Sequence, residues 1–192
     1  MSLLFFNTIW ITENILLAII AVILGWLALK TNRIMLRGIF SFLWLLFIPN
    51  TSYMLSDIIH LPEQLPLVKE GDVIMLVFQY VILVIAAIVT FMLSLYPFEK
   101  IIKQTVKQKK QNNVYTTFAL LFFVNFIIAF GIVIGRVQRT NSWEVFTNIG
   151  KVIRDIVHVL ISQDLIFLVL FFGLLNNFIY FSLRGIMKKI IK

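Results

Sequence analysis

The chain contains no cysteine. Disulfides, a Cys-ligated zinc site and a thiol nucleophile are therefore excluded. Histidine is nearly absent too: His60 and His158 are the only two, so a metal site would depend on carboxylates. Acidic residues number 9 against 17 Lys and Arg, and all charged residues together make up only 14% of the 192. What fills the chain instead is apolar. Hydrophobic residues account for 60%, and the mean hydropathy is +0.97. A soluble domain is normally about half apolar. Here the excess lies in long uncharged runs, which is the pattern of a polytopic membrane protein. A separate soluble domain has no room, so residues 1–192 are expected to form a single integral membrane domain in contact with the lipid bilayer. The net charge of +8 fits basic residues gathered in cytoplasmic loops, and nucleic-acid binding is not expected. The opening MSLLFFNTIWITEN lacks a basic n-region and a cleavage site follows nowhere near, so it reads as retained.

Five spans can be laid down: Ile9–Leu29, Gly38–Leu55, Val73–Tyr96, Val114–Gly135 and Leu165–Leu183. Each has about the 20 residues a hydrocarbon core requires. The second is interrupted at Pro49–Asn50, and a split there would raise the count to six. The basic residues set the orientation. Lys30, Arg33 and Arg37 fall in the first loop; Lys100, Lys103, Lys107, Lys109 and Lys110 lie between spans three and four; Arg184, Lys188, Lys189 and Lys192 close the chain. The opposite side holds Lys69, Arg136, Arg139, Lys151 and Arg154, with every acidic residue except Glu99. The positive-inside rule then puts the N-terminus outside and the C-terminus in the cytoplasm. The stretch EKIIKQTVKQKKQNN reads as a solvated basic connector without chemistry.

Two outer segments carry the polar residues of interest. In FIPNTSYMLSDIIH, Phe47–His60, proline removes a backbone donor and frees a carbonyl that needs another partner. If helix resumes after it, Asn50, Tyr53, Asp57 and His60 share one stripe at i, i+3, i+7 and i+10. Ionisable groups near membrane depth usually face a cavity or a partner. Asp57 could equally cap a short helix and pair locally with His60. The second segment, GRVQRTNSWEVFTNIGKVIRDIVHVLISQD, places Asn141 and Glu144 at capping-box spacing. Its apolar period predicts an amphipathic helix over 142–162, lying on the membrane surface. The polar stripe of that helix is Asn148, Lys151, Asp155 and His158, with Lys151–Asp155 at ion-pair spacing. Asp155 and His158 repeat the Asp57–His60 interval, so these four are candidate ligands for an ion such as Zn²⁺ or Mn²⁺. Arg136 and Arg139 stand where the charge rule disfavours them. They either snorkel to lipid phosphates or hold an anion. Trp143 fits an interfacial anchor.

WLLFIPNTSYMLSDIIHL, Trp44–Leu61, resembles the hallmark L-F-L-P-N-x-P-Y-x-x-x-D-L-x-H-L of domain-of-unknown-function family 1361. GRVQRTNSWEVFTN, Gly135–Asn148, is similar to the family's G-R-x-x-R-x-N-S-W-D segment. Ser52 stands where that family usually has Pro, and Glu144 where it usually has Asp. The resemblance implies a multi-pass inner-membrane protein of bacteria and no particular activity. The positions it carries over are Pro49, Asn50, Tyr53, Asp57, His60, Arg136, Arg139, Asn141, Ser142, Trp143 and Glu144.

The expected fold is an all-α membrane bundle with a polar pocket open to the extracytoplasmic face. One function is binding of an anionic or lipid-linked ligand by Asn50, Tyr53, Arg136, Arg139, Asn141, Trp143 and Glu144. A second is a membrane enzyme with Asp57 or His60 as acid–base and the two arginines on phosphate. A third is a structural or accessory subunit of a membrane complex. Transport is disfavoured because ionisable residues are sparse in the middle of the spans. No nucleophile or metal motif favours an enzyme, and no cofactor, substrate or oligomeric state can be named.

Overall fold

Long apolar runs leave the backbone one internal way to satisfy its N–H and C=O groups, which is the α-helix. A computed structural model describes residues 3–108 and 114–190. The expected connector residues Lys109 and Lys110 and the tail residue Lys192 lie outside the described residues. Nine helices follow one another among the described residues, with no strand: α1 (Leu3–Lys30), α2 (Ile34–Phe47), α3 (Pro49–Ser56), α4 (His60–Gln64), α5 (Val73–Gln108), α6 (Val114–Val137), α7 (Glu144–Thr147), α8 (Ile149–Ile161) and α9 (Gln163–Ile190). Five stretches are long and apolar enough to cross a membrane, and α2 to Leu67 counts as one of them. The protein is an all-α, multi-pass membrane bundle.

Its core follows from where small residues recur. The buried face of α1 is Asn7, Ile11, Asn14, Ala18, Ala21, Gly25 and Ala28, a four-three spacing that presents a narrow, smooth stripe. Small residues let membrane helices approach closely, and α1 packs most extensively on α5 and α2. At Gly25 an added Cβ would lie 3.0 Å from the Ser94 carbonyl and 3.1 Å from the Trp44 ring. That close approach lets the Trp44 indole donate to Ser94 Oγ at 2.8 Å and to the Ser94 carbonyl at 3.1 Å. Helices α6 and α9 form a second pair, tied by Asn125 donating to Asn177 at 2.9 Å. Helix α3 bridges the two groups, touching α1, α5 and α6.

Several boundaries differ from expectation: α1 begins at Leu3 and not Ile9, and α9 runs on to Ile190 past Leu183. The third span does not stop at Tyr96. Helix α5 runs through Pro97 to Gln108, and Glu99 is not a solvated connector residue but is 1% exposed. Its carboxylate accepts from Arg184 Nε at 2.9 Å and Nη2 at 2.6 Å, from Lys103 and from the Tyr180 hydroxyl. Charge-assisted bonds of this kind offset the desolvation of a buried acid, and they lock the end of α5 to α9. The amphipathic helix is also not continuous over 142–162. It divides at Asn148, whose backbone leaves the helical region (φ −148, ψ 63) and whose side chain caps α8 by accepting from the Lys151 N–H at 3.2 Å. Helix α8 buries Val152 and Val159 and leaves Ile153, Val157 and Leu160 exposed. An exposed apolar stripe beside a polar one suits the membrane surface.

Candidate functional site

The break at Pro49 organises one end of the bundle. Proline at the first position of α3 supplies no N–H, yet Ile48 stays helical (φ −60, ψ −31) and the span continues without a sharp turn. Pro49 leaves the Leu45 carbonyl without its helical donor, and two side chains add hydrogen bonds to the neighbouring carbonyls of the break. The Ser142 hydroxyl donates to the Leu46 carbonyl at 2.7 Å. Asn50 Nδ2 donates to the Phe47 carbonyl at 3.0 Å and lies 3.4 Å from Ser142 Oγ. The segment after α6 is thus docked on the break. Gly131 makes the docking possible from the α6 side, because a Cβ there would sit 2.5 Å from Pro49 Cγ.

Past Asn50, the stripe faces Arg136 and not water. Arg136, in the last turn of α6, donates through Nη1 to Asp57 and to the Tyr53 hydroxyl at 3.3 Å. Its guanidinium also lies 5.2 Å from the Tyr53 ring centroid. Nη2 is 2.8 Å from His60 Nε2. Because a guanidinium can only donate, that imidazole nitrogen accepts, which leaves the proton on Nδ1 facing Glu63 Oε2 at 3.0 Å. The local Asp57–His60 pairing does not form; both residues turn to the arginine. The helix tightens to a 3₁₀ turn over Asp57–Ile59, which swings Asp57 inward until its side chain is fully buried.

In front of Arg136 opens a polar chamber of about 700 Å³. Tyr53, His60, Gly135, Arg136, Arg139 and Asn141 line it, with Phe6, Asn7, Trp10 and Gln64 opposite. Asp57 lies behind Arg136 and does not line it. The four residues opposite went unnoticed in sequence. Their signal was the α1 stripe that begins with Asn7: an amide at the head of a buried face needs a partner, and Gln64 supplies it at 2.5 Å. Arg139 differs from Arg136. Its guanidinium makes no hydrogen bond or ion pair among the described residues, and its backbone, at φ 53, is the one non-glycine positive φ among them. Strained backbone tends to persist at binding sites, where the surroundings over-determine it.

The other candidates occupy a flank. Glu144 Oε2 accepts from the Asn141 N–H at 2.6 Å, half of the expected capping box. Lys151 pairs with Glu144 at 2.8 Å, and not with Asp155. Glu144 lies outside the membrane-spanning helices, and the Lys151 hydrogen bond, followed by that of Asn141, holds its carboxyl below the ordinary value. Asp155 accepts from the Thr140 hydroxyl, and Gln138 lies 2.7 Å from His158 Nδ1. Asp57 and His60 are therefore engaged by Arg136, while Asp155 and His158 are engaged by the 138–140 segment. Among the described residues no three His, Asp or Glu side chains gather as they would around a metal ion, so the four candidate ligands do not converge. Trp143, Asn50 and Ser142 line a second, apolar cleft of about 480 Å³ beside the chamber.

Fold and site together define a multi-pass helical membrane protein with a basic, amide-rich chamber at one end. A family model described as protein of unknown function (DUF1361) matches residues 13–179. The match spans most of the chain, and the protein belongs to that family. No curated protein and no solved structure matches it.

Proposed function

We propose that the chamber binds an anionic ligand, with Arg139 as its principal cation. The observation that carries this reading is an exposed guanidinium with no partner among the described residues, on a positive-φ backbone at the wall of the chamber. Arg136 already shares its charge with buried Asp57, so its part is to position Tyr53 and His60. Asn7, Gln64 and Asn141 offer amide donors around the same space. Phosphate and carboxylate both match a guanidinium fork.

Binding is favoured over catalysis on two grounds. Asp57 is sealed from the chamber, and both nitrogens of His60 are engaged, by Arg136 and Glu63. A base must have a free lone pair within reach of the proton it takes. The distribution of basic residues further supports a chamber facing out and a C-terminus in the cytoplasm; the resemblance to the family implies a bacterial inner membrane.

Native mass spectrometry of the protein released from its membrane tests the binding reading. A retained anionic species should be present in wild type and lost in Arg139→Gln. No retained species, together with no thermal shift on adding phosphate, would refute it. Orientation is accessible because the chain lacks cysteine: a single Leu67→Cys, at a position 71% exposed, should react with an impermeant thiol reagent added outside the cell.

A further inference from the structure

The polar chamber has an apolar neighbour. Tyr53, Gly135 and Asn141 line both it and the 480 Å³ cleft, so the two spaces adjoin at a seam where Gly135 has no side chain. The cleft runs from that seam down between α2 and α6 and under α8, between Leu17, Leu45 and Phe42 on one wall and Ile127, Phe130 and Val152 on the other. Phe42 and Ile127 are each 51% exposed, so the cleft reaches the lipid-facing surface of the bundle. A chamber with an unpaired cation joined to an apolar slot open to the hydrocarbon has two halves with opposite preferences. A free inorganic ion would use only the first.

We infer that the ligand is a phosphorylated amphiphile, with its headgroup at Arg139 and its hydrocarbon chain in the cleft between α2 and α6. The inference rests on the anion-binding reading above and specifies the class of that ligand. Charge complementarity places the head, because the phosphate oxygens meet the one guanidinium in the chamber that no carboxylate has claimed. Apolar continuity places the chain. It enters from the bilayer at Phe42 and Ile127, and needs no passage through water. The helix break serves the same end. Ser142 and Asn50 donate to the Leu46 and Phe47 carbonyls, so these two backbone oxygens near the headgroup are hydrogen-bonded.

The test uses the full-length protein in nanodiscs of zwitterionic lipid and decyl phosphate carrying a diazirine at the chain end. Photolabel should fall on Leu45, Phe130 and Val152, and excess inorganic phosphate should displace it. Arg139→Gln should weaken both the label and the phosphate-induced thermal shift, by roughly tenfold to a hundredfold for a lost charge-assisted contact. Ile127→Trp, at the half-exposed mouth, should abolish the cleft label and leave the phosphate shift unchanged. Leu17→Trp narrows the opposite wall if the first variant fails to accumulate. Label spread over outer residues such as Phe78 and Phe167, with an Arg139-dependent phosphate shift intact, would overturn the amphiphile and leave the anion site standing. Absence of both label and shift would remove the two readings together.

Discussion

Removing the Arg136 side chain should be the most damaging single change at this end of the bundle. Asp57 is wholly buried and Arg136 is its one cation among the described residues, with a side chain 19% exposed. Breaking a buried pair from one side costs about 3–5 kcal/mol, because the other charge stays behind uncompensated. Arg136→Gln also ends the contacts to Tyr53 and His60. Against a folded-state stability of roughly 5–15 kcal/mol, that is a large share. Asp57→Asn is a milder change. Arg136 can turn its charge toward the chamber, so the cost should stay near about 1–3 kcal/mol. In the double variant neither charge remains, and the pair of amides should cost little more than Asp57→Asn alone. The cycle therefore predicts a coupling of about 3–5 kcal/mol, close to the whole cost of Arg136→Gln. Unfolding of the four proteins in mixed micelles, titrated with a denaturing detergent, measures it. Costs that add to within about 0.5 kcal/mol would refute the pairing. So would an Arg136→Gln protein no less stable than Asp57→Asn.

Three further changes probe separate parts of the site. Arg139→Gly should raise stability by about 1 kcal/mol, since glycine relieves the positive φ, while abolishing the phosphate shift; thermal unfolding with and without phosphate reads both. Gly131→Ala would force a methyl to within 2.5 Å of Pro49 Cγ and should destabilise by about 1–3 kcal/mol, seen as a lower unfolding midpoint despite alanine's better helix propensity. Glu144→Gln should destabilise at neutral pH and converge with wild type in acid. The folded Glu144 carboxyl lies below its ordinary value of 4.5, so its contribution is complete above that value and fades as the pH falls through the lower folded one. A difference that grows on acidification would contradict the Lys151–Glu144 pair.

The spans were legible because a hydrocarbon solvent demands uninterrupted apolar length. Their ends were not, because helix termination depends on partners elsewhere. Helix α5 outlasts the apolar run because Glu99, the sole acid on the basic side, is drawn inward by Arg184 and Tyr180 on α9. Sequence spacing could align Asn50, Tyr53, Asp57 and His60 on one stripe, but it could not say what the stripe meets. The answer lies 76 to 92 residues away, as the separations of His60–Arg136 and Asn50–Ser142 record. The chamber's far wall was harder still. Asn7 and Gln64 belong to different helices, and neither sits in a motif. Only the small-and-amide spacing along α1 pointed to a buried face.

The two polar segments are better understood as one unit than as two sites. A proline in a membrane span frees carbonyls that water cannot reach, so the break is stable only if another segment brings donors to it. Ser142 does this directly, and Arg136 anchors the same segment one helical stripe further on. Once both are committed, the chain between them is held at each end. Thr140 is tied to Asp155, and the Arg139 carbonyl accepts from Lys151 at 3.2 Å. Between those ties Arg139 takes a left-handed backbone (φ 53) and its side chain is exposed. A purely structural segment would be relieved by glycine at that position. An exposed arginine there, at the edge of a cavity lined by amides and aromatic rings, is the residue on which the proposed anion binding rests.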